Sequence, residues 1–239
     1  MHADPSQTID TCTGTGTGTD DAVQALATEM CRVGRSLYER GYVHASAGNI
    51  SAALPDGGWL ITPTDACLGT LQPCTLARVD GEGRQTGGAP ASKTLALHRR
   101  IYAAAPHARC VIHTHSTHLV ALTLAGVWSP QDIVPPLTPY YVMKVGHVPL
   151  VPYRRPGCPD AAQWVAQAVA ESVQQGRALR AVMLDRLGPV VWHASLAQAS
   201  ATLEELEETA RLWLLGGRAA EPLAEPQIQE LRDSFAAVW

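Results

Sequence analysis

The stretch Val111-Ile112-His113-Thr114-His115 places two histidines two residues apart in an apolar run that reads as a strand. Alternation along a strand sends both imidazoles to one face. Two imidazoles can hold one divalent cation, with further ligands drawn from other segments. The same pair also occurs as two ordinary histidines, so the surrounding residues must decide. Three segments supply a context: Ser46-Ala47-Gly48-Asn49-Ile50-Ser51, Ile61-Thr62-Pro63-Thr64 and Ser92-Lys93. Each is small, polar or glycine-containing and falls at a strand or helix end, where backbone amides and hydroxyls can cradle a phosphate. Taken singly, each also reads as a simple turn.

These residues need elements to position them. Val23, Leu26, Met30, Val33 and Leu37 recur at helical spacing over 21–40, and Gly41 follows as a C-terminal stop. Strands are expected at 49–52, 59–62 and 76–80, the last before an Asp80-Gly81 turn. Ser92 can cap a helix to about Ala105; strand 110–114 and helix 116–125 follow. After a Pro-rich passage, 148–153 reads as extended, 159–175 as helix, and 181–185 and 190–193 as strands. A long helix opens at Ser195, with Gln198 in capping-box spacing, and a last helix covers about 226–238. Glu204, Glu205, Glu207 and Glu208 read as a solvated helix face. The pattern implies an α/β fold with helices on both sides of a sheet, as one domain over 21–239.

Composition narrows the function classes. At 239 residues, 46% hydrophobic and 17% charged, the chain can bury a full core. A net charge of -4 gives no basic field for nucleic acid or an anionic membrane surface, and no run reaches the length of a bilayer span. Six scattered cysteines without a CxxC pair read as reduced thiols of a cytoplasmic protein. Residues 1–20, with their Thr-Gly repeat, read as a disordered tail.

Taken in order, the segments Gly48-Asn49-Ile50-Ser51, Ile61-Thr62-Pro63-Thr64, Ser92-Lys93 and His113-Thr114-His115-Ser116 resemble the class II aldolase/adducin family. A narrower likeness runs through Pro135-Pro136-Leu137-Thr138-Pro139-Tyr140-Tyr141-Val142-Met143-Lys144-Val145-Gly146 and through 148–157. It looks like the branch that decarboxylates 3-oxo-tetronate 4-phosphates. The resemblance implies a three-layer α/β/α sandwich with a mostly antiparallel sheet, a homotetramer with sites between subunits, and zinc or another divalent cation on three histidines beside a glutamate. His113 and His115 match two metal ligands; Gly48, Asn49, Thr62, Thr64 and Ser92 match phosphate and substrate contacts.

Two positions depart from the family pattern. Thr94 stands where the glutamate belongs, four residues before His98, and Leu187 stands in place of the third histidine. Asp185 is the nearest substitute ligand, ahead of His118, His147 and His193. A retro-aldol cleavage needs a positioned base, whereas loss of carbon dioxide from a β-keto acid needs an electron sink and then a proton donor. Thr94 therefore harms an aldolase more than a decarboxylase. Lys93 offers a cation for the substrate's anionic groups; Tyr140 and Tyr141 are candidate proton donors or interface residues. The expected substrate is a phosphorylated 3-oxo sugar acid. The alternatives are a divergent enzyme for another keto acid or an epimerisation, and a non-catalytic module of the adducin kind.

Overall fold

A computed structural model describes residues 18–177, 179–237 and 239. The first helix, α1 (Gly18–Glu39), begins earlier than the expected residue 21, so Gly18 to Asp20 belong to the helix and not to a tail. The rest of the proposed tail lies outside the described residues. Met30, Val33 and Leu37 of α1 are buried, as their spacing requires, each contributing on the order of 2 kcal/mol through lost apolar surface. Gly41 adopts φ +76° just beyond the helix, the left-handed conformation that glycine takes there most easily.

Eight strands form one sheet: β1 (Asn49–Ala53), β2 (Trp59–Ile61), β3 (Ala77–Val79), β4 (Gln85–Gly87), β5 (Cys110–His113), β6 (Leu150–Val151), β7 (Ala181–Leu184) and β8 (Gly188–His193). Their spatial order is β4-β3-β2-β1-β5-β8-β7-β6, and every pairing is antiparallel except β6 with β7. The short strand β4 was not foreseen, because Gln85-Thr86-Gly87 has no apolar alternation to reveal it.

Alternation along the strands divides the core in two. Ile50, Ala52, Ile112, Met183 and Val191 meet one apolar cluster, which includes Met30 and Leu37 of α1, Leu119 and Leu122 of α3 (Thr117–Ala125), and Leu203 and Leu206 of α5 (Leu196–Leu215). Val111, Val182, Val190 and Trp192 face the other way. They pack with Ile101 of α2 (Leu95–Ala104) and with Val165 and Val169 of α4 (Pro159–Gln174). Two helical layers thus enclose the sheet, giving the expected three-layer α/β/α arrangement. A last helix, α6 (Glu225–Phe235), contacts a π-helical turn at Tyr141–Val145.

Ser195 caps α5 by accepting the Gln198 amide at 3.3 Å, as its spacing indicates. Glu207 corrects the expectation of a solvated acidic face. It is 3% exposed and accepts the backbone amides of His118 (2.9 Å) and Leu119 (3.0 Å) at the start of α3, and the His118 ring at 2.8 Å. A carboxylate there satisfies amides that the first helical turn leaves unpaired.

The turn between β7 and β8 packs tightly on the end of β5. Gly188 has φ +124°, and a Cβ there would lie 2.0 Å from the Thr114 carbonyl oxygen. Gly188→Ala is expected to lower unfolding free energy in urea by about 2–4 kcal/mol, through backbone strain and collision together. Gly41→Ala, with nothing within 4 Å of the added carbon, should cost only about 1 kcal/mol.

Candidate functional site

β1 and β5 are neighbours, and their register sets Asn49 opposite His113. His113 donates from Nδ1 to the Pro189 carbonyl at 2.9 Å. This fixes the tautomer and leaves Nε2 with its lone pair. Burial, and then the neighbouring His115, bring the His113 pKa down to about 4. The His115 pKa is also lowered, by burial and then by His44. The His113 and His115 ring centroids lie 5.0 Å apart. The rings of His113 and His115 thus lie in edge-to-face contact, and burial disfavours the charged form of each.

A fully buried imidazole lies on the same face. His98, on α2, approaches the Asn49 side-chain oxygen through Nε2 at 2.7 Å and Ser51 Oγ through Nδ1 at 2.7 Å. Ser51 Oγ in turn lies 2.8 Å from the Tyr102 hydroxyl. The Asn49 oxygen can only accept, so His98 carries its hydrogen on Nε2, Nδ1 accepts from Ser51, and Ser51 accepts from Tyr102. This order pins Asn49 with its amide nitrogen left as a donor beside His113. Sequence reasoning missed Ser51 and Tyr102. Their signal was the period-2 pattern of β1, which turns Asn49 and Ser51 toward α2 while Ile50 and Ala52 face the opposite core.

The polar segments converge around this strand pair. Gly48 has φ +83°, and a Cβ there would meet the His113 carbonyl oxygen at 2.8 Å, so only glycine lets the loop lie so close. The Ser92 amide donates to the Thr62 carbonyl at 3.2 Å, and Pro63 bridges to Ala91, which draws 61–64 against the start of α2. Ser92 Oγ contacts Thr94 Oγ1 at 2.9 Å, and Thr94 precedes the first residue of α2. Lys93 is exposed between them, and Thr64 is partly buried. Thr62 departs from its expected contact role: it is 1% exposed and its Oγ1 accepts the Ile50 amide at 3.2 Å, so it braces β1 against the loop.

The two tyrosines separate. Tyr140 is 62% exposed, whereas Tyr141 is wholly buried in the π-helical turn against Trp239, 5.6 Å between centroids. Burial raises the Tyr141 pKa well above the ordinary phenol value. Tyr141 is therefore corrected from proton donor to packing residue, since a ring without accessible surface meets no substrate.

Leu187, in the turn before β8, packs against the second apolar cluster and offers no donor atom. Among the described residues no group of three or more His, Cys, Asp or Glu side chains already surrounds one point, so Asp185 does not complete a site. His118 is paired with Glu207, and His147 contacts Asp132 at 2.9 Å and stacks on Trp239. His193 lies opposite Cys110, at the far end of β5. A histidine absent from the sequence reading stands nearer: His44 meets the His115 ring edge-on at 6.5 Å. No periodicity marks His44, because it sits in an irregular loop.

Burial, and then His113, hold His98 at a pKa of about 3. Unfolded, both His98 and His113 would titrate near 6.5. Below that pH the unfolded chain binds protons that the native state refuses, so stability is complete above about pH 6.5 and declines as pH falls toward 3. Urea unfolding at stepped pH should show this slope; a flat profile between pH 7 and about 4.5 would contradict the buried neutral pair.

Residues 28–214 match the class II aldolase and adducin N-terminal domain. The 3-oxo-tetronate 4-phosphate decarboxylase of Cupriavidus necator is 56% identical over 219 residues, covering 90% of this chain and 97% of that relative. Its namesake from Escherichia coli K12 is 42% identical over 210 residues, 87% and 96% of the two chains. Among solved structures, YgbL of Escherichia coli, named as an aldolase, epimerase or decarboxylase, superposes with a TM-score of 0.81 at 42% identity, covering 88% of this chain and 99% of that one. The matched span carries all eight strands, both site histidines and the polar loops around them, and the chain belongs to the class II aldolase and adducin family.

Proposed function

We propose that this protein is a carbon-carbon lyase that decarboxylates a phosphorylated 3-oxo sugar acid of the 3-oxo-tetronate 4-phosphate type. The observation that carries the reading is the pair of imidazoles, His113 and His115, in contact at the end of the strand that pairs with Asn49, whose side-chain oxygen is held by His98. High identity to decarboxylases over nearly their full length supports the same chemistry.

The substrate phosphate sits against the Gly48 amide, the Asn49 amide nitrogen, Thr64 and Ser92, near the N-terminus of α2, where unpaired amides favour an anion. Lys93, exposed beside Ser92, attracts the substrate carboxylate. The ketone faces His113 and His115. The bond between the carboxylate carbon and its neighbour breaks, carbon dioxide leaves, and the electron pair moves into the ketone to give an enediolate. A proton added to carbon then yields a dihydroxyacetone-phosphate-like product. Tyr140 is the exposed candidate for that donor.

The donor chemistry fits a divalent cation at the pair: both rings are neutral, and His113 is oriented by a carbonyl on its other nitrogen. Held by His113 Nε2 and His115, such an ion would supply the electron sink by polarising the ketone. Thr94 has no carboxylate to take a hydroxyl proton, which disfavours retro-aldol cleavage and leaves decarboxylation unimpeded.

We also read the protein as a cytoplasmic homotetramer. Exposed Trp128, Tyr140 and Leu215 suit covered subunit surfaces, and the described cysteines are free thiols. Among the described residues, no helix is long and apolar enough to cross a membrane.

Purified protein should release carbon dioxide from 3-oxo-tetronate 4-phosphate in step with formation of a triose phosphate, while L-fuculose 1-phosphate remains uncleaved. Asn49→Ala should raise KM by about tenfold or more, the loss of a charge-assisted hydrogen bond of roughly 1.5–3 kcal/mol. Absence of carbon dioxide release would sink the proposal. Light scattering should give about four times the 25.5 kDa chain mass.

A further inference from the structure

The hydrogen bonds behind Asn49 can run in either of two directions, and the direction decides what the site offers a ligand. In one, Tyr102 donates to Ser51, Ser51 donates to His98 Nδ1, and His98 Nε2 donates to the Asn49 side-chain oxygen. In the other, every donor and acceptor is exchanged and Asn49 turns its oxygen outward. We infer that His98, Ser51 and Tyr102 are positioning residues that hold the first direction, so that Asn49 presents an amide donor and selects an anionic group of the substrate. That role rests on the proposed reading of the site, in which Asn49 meets the substrate.

Counting hydrogens separates the two directions. The contacts measure 2.7 Å from His98 to Asn49, 2.7 Å from His98 to Ser51 and 2.8 Å from Ser51 to Tyr102. His98 and Ser51 are wholly buried and Asn49 nearly so, which leaves partners to be found within the protein. In the first direction each O–H and ring N–H has an acceptor. The reverse direction leaves the Tyr102 hydrogen over, because Ser51 then donates to the phenol oxygen. That hydroxyl is desolvated: burial raises its pKa above the ordinary phenol value, and its ring stacks on Trp59 at 5.8 Å. An unpaired donor in such a place is costly, so the reverse direction is the weaker one.

The first direction has its spare hydrogens on the Asn49 amide nitrogen instead. Among the described residues no acceptor meets that nitrogen, and it is not one of the side-chain donors closed off from the surface. Asn49 stands across the ladder from His113, so those hydrogens remain for a molecule bound there. A phosphate or carboxylate oxygen accepts them; a group that can only donate does not. The polarity of this part of the site is thus set by a phenol three hydrogen bonds away.

Two measurements test this without turnover. Imidazole nitrogen NMR of the wild type, with His98 assigned by its loss in His98→Gln, should show the hydrogen on Nε2; a hydrogen on Nδ1 overturns the inference. Calorimetric titration with inorganic phosphate then reads the outward donor. Asn49→Asp, nearly isosteric and still able to accept from His98, should weaken phosphate binding by at least about tenfold, since an acceptor replaces the donor. His98→Leu should weaken it by about fivefold to tenfold, and His98→Gln, which keeps an N–H for the Asn49 oxygen, should recover most of that loss. In an Asn49→Ala background His98→Leu should change nothing further, whereas a residue that only supports the fold weakens binding equally in both backgrounds. Equal weakening in both backgrounds overturns the inference, as does unchanged phosphate affinity in Asn49→Asp or a wild type that binds no phosphate. If His98→Leu does not fold, the tautomer and Asn49→Asp decide. Carbon dioxide release is scored separately. The expected tautomer and coupling in a protein that releases no carbon dioxide sustain this inference and sink the decarboxylase reading; turnover with the opposite tautomer does the reverse.

Discussion

The antiparallel pairing of β1 with β5 is the constraint on which the site depends. One ladder sets Asn49 across from His113, and the same pleat turns Asn49, Ser51 and His113 toward α2 while Ile50 and Ile112 enter the opposite core. A register slip of one residue would exchange these faces, burying polar groups in hydrocarbon and bringing isoleucine to the site. The apolar packing of α1, α3 and α5 therefore holds the chemistry in place without touching it.

The polar layer under α2 carries a second constraint. His98 is removed from solvent, so it remains neutral and its two hydrogen bonds must be made within the protein. Satisfying them orders Tyr102, Ser51 and Asn49 into one donor sequence. That sequence leaves the amide nitrogen of Asn49, the residue paired with His113, as a donor. Buried polar networks of this kind specify orientation because every alternative leaves a group unpaired.

Threonine at position 94 and leucine at position 187 bear unequally on the reactions that the family resemblance implies. Proton abstraction from a hydroxyl needs a base, and Thr94 lacks one. Expulsion of carbon dioxide needs a place for two electrons, which in the proposed chemistry an ion at the imidazole pair would provide.

The sequence by itself determined the elements with strong periodicity and the chemistry with ordered motifs. Helical spacing in α1 and the cap at Ser195 depend on neighbours in the chain, so they were legible without coordinates; β5 ends at His113, so strand alternation does not reach His115, whose ring meets His113 from the turn beyond. Tertiary structure decided what depends on residues far apart in the chain. Glu207 proved to be a buried helix cap because α5 lies against the start of α3, and Tyr141 proved to be core because α6 and Trp239 cover its turn. Thr62 was drawn inward to brace Ile50, and His44 was carried to the rim of His115 by a loop without pattern. Local spacing fixes which way a side chain points relative to its own element; only packing between elements fixes what it meets.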